Sequence, residues 1–360
     1  SMSLTQSKNH TEEVAKSQLS IRRSRLRGWL LTWEIYPIIV VTAFLCLYRI
    51  NTTEFNTDQA SIFSMARDAI RYGLIPMTSN AASVGITNPP GVIYILLIPA
   101  LFSADPLWAA VQQGLLTTLA VLLTYIFTRR YYGRLASIIA ALLYGTSATT
   151  IHFGRFIWQQ NMMPPFIVLF MFALFWGVVE RRRGWLAPAV LLLGLVIQLH
   201  ESSALLTVLL LIAIVLAYKT IRWRDLALAA LFLCIIYLPY VLYEIRASFV
   251  DLHTLLTLSK NHAIIDSQAI RFYRVFLTPY GQQPTIPSSV INIFIPWLSW
   301  LRDVMPLLVG CGGLTALVLL LQPLHLNNSN HDTEGAAPRQ RGIRRWWTNF
   351  RSTPAAGGLI

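Results

Sequence analysis

Long apolar runs, each cut off by a short polar or basic stretch, dominate the chain between residues 30 and 322. They approach the ~20 residues that a helix needs to cross a hydrocarbon core. The runs lie at 30–48, 107–128, 135–152, 164–179, 185–200, 202–218, 226–243 and 304–322. The ten-residue alternation of a transmembrane β-barrel is missing. The pattern therefore predicts an all-α polytopic membrane protein, a bundle of about eight transmembrane helices.

Two segments depart from that pattern. In "DQASIFSMARDAIRYG", beginning at Asp58, the residues Ile62, Phe63, Met65, Ala66, Ala69 and Ile70 share one helical face. Asp58, Ser61, Ser64, Arg67, Asp68 and Arg71 fall mostly on the other, and Gly73 is a natural stop. This predicts an amphipathic helix over 58–72, lying in the membrane plane with its apolar side down. The run "GVIYILLIPALFS" at 91–103 is apolar but too short to cross at 1.5 Å per residue. It reads as an interfacial or partly inserted helix, with Pro89 and Pro90 opening its first turn.

Charge supplies the orientation. The chain has 360 residues and a net charge of +13, with only 12% charged residues, about half the share of a soluble domain. In a soluble protein such a balance would suggest nucleic acid. Here the basic residues cluster between apolar runs: Arg22, Arg23, Arg25 and Arg27; Arg129, Arg130 and Arg134; Arg181, Arg182 and Arg183; Lys219, Arg222 and Arg224; and several arginines beyond residue 338. Cytoplasmic loops collect Lys and Arg, so these clusters mark the inner side of a plasma membrane, and membrane lipids rather than nucleic acid are the implied partners. Arg27 and Arg129 both fall inside only if 91–103 does not cross.

The domain organisation follows. Residues 1–29 form a cytoplasmic N-terminal tail without a cleavable signal. Residues 30–322 form the transmembrane module, with two large outer segments at 49–106 and 244–303, and 323–360 form a basic cytoplasmic tail. Cys46, Cys234 and Cys311 each lie in an apolar run without CxxC spacing and read as small core residues.

The motifs "FNTDQA" and "TNPPGVIYILLIPALF", followed by "GRFIWQQNMMPPFIVLF" and "VIQLHESSALL", stand in an order that resembles the GT-C fold glycosyltransferases using polyprenyl-phosphate sugar donors. The similarity is to the bacterial aminoarabinose transferase and protein O-mannosyltransferase-like group, and runs over roughly residues 30–320. That group carries an Asp, often followed by Glu, after its first span, and later a Lys/His-Pro-Pro motif. Here the matching positions are Asp58-Gln59 and Asn88-Pro89-Pro90, so Gln59 and Asn88 depart from the pattern.

The resemblance implies sugar transfer from a polyprenyl phosphate to an acceptor hydroxyl of a lipid, glycan or protein, on the outer or periplasmic face. Asp58 is then the general base. Lys260, Arg271, Arg274 and Arg155 are candidates for the donor phosphate, with Arg271 and Arg274 one turn apart. Gln59, Asn88, His200, Glu201 and Asn161 are candidate substrate contacts, with Trp158 and Gln159 beside them. Each arginine could equally be an interfacial lipid contact, Asp58 could be only a helix N-cap, and Glu201 could sit in a solvated turn. The phosphate already activates the donor, so no metal and no cofactor is expected. The competing classes are a secondary transporter, a lipid-linked polysaccharide polymerase or ligase, and a non-catalytic or degenerate GT-C protein.

Overall fold

The computed structural model describes residues 33–82, 85–258, 267, 270 and 301–326. The described chain is mostly helical, and the nearest thing to a strand is an isolated bridge between Ala81 and Thr87. We label the helices α1 (Ile35–Leu47), α2 (Thr57–Tyr72), α3 (Gly91–Phe102), α4 (Leu107–Tyr132), α5 (Arg134–Thr146) and α6 (Ala148–Phe153). They continue as α7 (Pro164–Val178), α8 (Leu186–Leu199), α9 (Leu206–Ala217), α10 (Trp223–Arg246), α11 (Val250–Leu258) and α12 (Leu301–Leu326).

Three of these, among the described residues, are long and apolar enough to cross a membrane: α4, α9 with its flanking turns (Glu201–Thr220), and α10. The expectation of about eight such helices is corrected to that extent. Four other expected spans correspond to shorter apolar helices; α1 and α5 have 13 residues, α7 has 15 and α8 has 14, while 304–322 falls in the 26-residue α12, whose apolar stretch is described over Val304–Thr315. Thirteen residues rise only ~20 Å. The run 135–152 is two helices, because Ser147 adopts an extended conformation (φ −62°, ψ 129°) and ends α5 before α6 begins.

Helix α4 is central and packs on α1, α5 and α7; α8 packs on α7, α9 and α10. Ile38, Val121, Tyr125 and Ala141 form the core of the first group. Phe170, Leu174, Trp185, Leu193, Leu210 and Ala213 belong to the core of the second. Gly177 lets α7 press directly on the Trp185 ring, whose Nε1 donates to Thr220 Oγ1 at 2.9 Å. Away from these cores the helices turn apolar side chains outward, among them Val40, Phe44, Leu211, Val215, Leu231 and Ile235, all more than half exposed. Such continuous apolar surface suits a lipid environment and not water.

The two ends of the bundle differ. At one end Glu34, just before α1, is buried and receives Arg129 Nη1 at 2.9 Å, Arg134 Nε at 2.9 Å and the Tyr125 hydroxyl at 3.0 Å. Beside α7, Glu180 receives Arg130 Nε at 2.8 Å, Tyr131 Oη at 2.7 Å and Arg182 Nε at 2.8 Å. Arg181 reaches the Leu216 carbonyl at 2.5 Å, and Asp225 accepts from the Arg222 amide at 3.0 Å. The clustered arginines of the interhelical loops thus meet at a single end, stitched to buried and half-buried carboxylates.

Burial pushes the Glu180 carboxyl up, but the bonds from Arg130 and Tyr131 outweigh it and hold it below the usual carboxylate range. A carboxyl depressed on folding stabilises the protein above its unfolded pKa of about 4.3, and that contribution is lost as pH falls through the folded value. Thermal stability measured between neutral and strongly acidic pH should therefore fall less steeply in Glu180→Gln than in the parent. An unchanged acid limb would remove Glu180 from the set of groups that matter.

Candidate functional site

The opposite end carries the connections of α1 to α4, of α6 to α7, of α8 to α9 and the end of α10. Its structure starts with the cap of α2. Asn56 accepts from the Asp58 amide at 3.1 Å, and Gln59 Oε1 accepts in return from the Asn56 amide at 2.9 Å. This reciprocal pair is a capping box, in a sequence where Asn, three positions before Gln, precedes an apolar face. Asn56, and not Asp58, is therefore the N-cap. Asp58 occupies the first turn, exposed, with no hydrogen bond or ion pair to its carboxylate among the described residues. The first turn is where acidic side chains are favoured by the helix dipole.

The apolar face of α2 does not lie on a membrane surface, as the sequence suggested. Ile62, Phe63 and Ala66 are buried in one cluster with Val92, Ile93, Leu96 and Ala100 of α3, Ala109 and Ala110 of α4, and Ile157, Met162 and Leu199. Two apolar surfaces adjacent in sequence cover each other before either needs lipid. Arg67 Nη1 fastens the pair by donating to the Ala100 carbonyl at 2.5 Å. The start of α3 rests on α8, where an added Cβ at Gly91 would lie 2.9 Å from Gln198 Cβ. Gly91→Ala should therefore cost ~1–3 kcal/mol of stability by overpacking, read as a lowered thermal midpoint. A midpoint equal to the parent's would mean that α3 is not seated there.

Other expected site residues serve as ties. Arg155 Nη2 donates to the Arg49 carbonyl at 2.6 Å, while its own carbonyl accepts from Thr53 Oγ1 at 3.1 Å. These bonds sew the α1–α2 connection, with Arg49 at φ 49°, to the segment before α7. Asn88 is buried, and its Nδ2 donates to the Asn80 carbonyl at 2.9 Å, closing the loop ahead of α3. Gln59 is equally buried within its cap. At both positions, where the resemblance implies a substrate contact, the side chain holds local structure. His200 Nδ1 lies 2.7 Å from Ser202 Oγ and accepts from the Ser202 amide, with Glu201 Oε2 at 3.8 Å and mostly in the open. Lys260, Arg271 and Arg274 lie outside the described residues, as do the tails 1–29 and 327–360.

Sequence reasoning singled out Gln159 and Asn161 but overlooked Gln112, Gln113 and Gln160 around them. Gln112 Nε2 donates to the Ile95 carbonyl at 2.9 Å and Gln113 Nε2 to the Asn161 carbonyl at 2.7 Å, and Asn161 Nδ2 donates to the Phe156 carbonyl at 3.0 Å. The carbonyl oxygens of Gln112, Gln113, Gln159 and Gln160 are buried without a hydrogen-bond donor among the described residues. Buried acceptors normally have partners. Two adjacent amides inside the apolar run 107–128 were a visible signal for this polar patch.

A groove of about 670 Å³ lies between α8, α9 and α10, walled by Leu193, Ile197, Leu210, Leu233, Tyr237 and Val241 among others. It is almost wholly apolar and contains none of the site residues expected from sequence. Ile197, Thr207 and Val241 carry it to the end of the bundle that holds His200. Comparison with protein-family models, curated proteins and solved structures finds no match to this chain.

Proposed function

We propose that the chain is a membrane glycosyltransferase of the GT-C type, with the α2-bearing end facing outward. The donor is a sugar on a polyprenyl phosphate. The acceptor hydroxyl oxygen attacks the anomeric carbon while its proton passes to the Asp58 carboxylate. The bond from that carbon to the phosphate oxygen breaks, and polyprenyl phosphate leaves with the electron pair. The observation that carries this reading is Asp58 itself: an exposed carboxylate with no hydrogen bond or ion pair among the described residues, on a helix pinned to the end that the apolar groove reaches. The unpartnered glutamine carbonyls offer acceptors for sugar hydroxyls, and the groove suits an isoprenoid tail.

A photoreactive polyprenyl phosphate, irradiated with the full chain in lipid nanodiscs, tests the proposal. Adducts are expected on groove residues such as Leu233 or Tyr237. Labelling spread evenly over all outward faces would mean that the groove holds no carrier. The non-catalytic alternative draws on Gln59 and Asn88, which are engaged in the fold where the resembling group places polar donor contacts. It predicts the same adducts but no turnover.

A further inference from the structure

The start of the second outer segment contains a polar centre that the proposed transfer does not use. Helix α10 ends at Arg246, and the chain turns sharply through Ser248 and Phe249, both at positive φ (57° and 58°). Two consecutive non-glycine residues in that region are disfavoured and persist only when their surroundings hold them. The Phe249 amide bonds back to the Glu244 carbonyl at 2.7 Å. This turn folds α11 against the end of α10 and buries Asp251 there.

Asp251 is 3% exposed and Glu244 7%. The Tyr240 hydroxyl lies 3.0 Å from Asp251 Oδ2 and 3.1 Å from the Thr87 carbonyl. Glu244 Oε2 accepts from the Leu252 amide at 3.3 Å, next to Asp251, while Oε1 is buried with no hydrogen-bond partner among the described residues. Both carboxylates bear electrostatically on the Tyr240 hydroxyl. Neither forms an ion pair with Lys, Arg or His among the described residues. Arg246, the nearest arginine in sequence, directs Nη1 to the Met77 sulfur at 3.7 Å. Two buried carboxylates with no basic side chain paired to them among the described residues are costly unless a cation joins them.

We propose that Glu244 and Asp251, with the Tyr240 hydroxyl and the Thr87 carbonyl, bind a hard divalent cation of the Ca²⁺ or Mg²⁺ kind. Every available donor is oxygen, the set such ions prefer, and two carboxylates match the ionic charge. No group of three or more His, Cys, Asp or Glu is assembled among the described residues, so water completes the shell. The ion would fasten the loop ahead of α3, through Thr87, to the α10–α11 turn.

The test uses the full chain in detergent, stripped with chelator. Terbium(III) is added and its emission read through excitation of the neighbouring Tyr240 and Tyr243, whose rings stack at 6.0 Å. Saturable emission displaced by Ca²⁺ or Mg²⁺ is expected, with a rise in thermal midpoint when either ion is added. Asp251→Asn and Glu244→Gln should each weaken terbium binding by about tenfold or more. Absence of saturable emission in the parent overturns the proposal without any variant. So does binding that both variants retain at full strength. A midpoint that ions leave unmoved while Asp251→Asn raises it would show that the two carboxyls share a proton instead.

Discussion

Asp58→Asn is expected to lower sugar transfer by about 10²- to 10⁴-fold, the contribution of a well-placed general base. The fold should be unaffected. The Asp58 carboxylate makes no hydrogen bond or ion pair among the described residues, and the cap of α2 rests on Asn56 and Gln59. Turnover of a polyprenyl-phosphate sugar and the thermal midpoint, measured on the same preparation, separate the two effects. Lost turnover at an unchanged midpoint is the expected pair. Parent-like turnover would assign the base elsewhere. Asn56→Ala provides the contrast: it removes the cap, costing ~1 kcal/mol of stability, and leaves the carboxylate in place.

The second large effect concerns the arginine-rich end. Glu34→Ala should destabilise the protein by ~3–5 kcal/mol, because Arg129 would lose the carboxylate it is buried against. The side chains of Glu34 and Arg129 are only 7% and 5% exposed, so solvent screens their pairing little. Arg134 is 46% exposed, and its removal should matter much less. Thermal or denaturant unfolding of Glu34→Ala and of Glu34→Ala with Arg129→Met checks this. The double variant should recover part of the loss by taking away the buried charge. Equal stability of all three proteins would mean that the pair is solvated.

Helix positions were legible because apolar runs and Gly, Pro or Arg punctuation are local properties. The amphipathic face of α2 was read correctly as Ile62, Phe63 and Ala66, yet its partner was not. Periodicity says which side must leave water and is silent on whether lipid or another helix covers it; here α3 does. The break at Ser147 escaped notice because a serine inside an apolar run breaks a helix only when packing favours it, and Gly145 is pressed against Thr42 on α1. Asn56 went unrecognised as the cap because the cap was sought at the acidic residue two positions on. The gathering of the arginines at one end follows directly from antiparallel neighbours joined by short loops. Their partners Glu34 and Glu180 lie far away in sequence, and no spacing rule links them.

The most direct measurement is a density map of the full chain in nanodiscs with a polyprenyl-phosphate sugar bound. The phosphate is expected at the end that carries Asp58 and His200, the sugar within reach of the Asp58 carboxylate, and the isoprenoid tail between α8 and α10. A phosphate seated among Arg129, Arg130 and Arg134, with Asp58 facing only solvent, would contradict the assignment of both the catalytic end and the base.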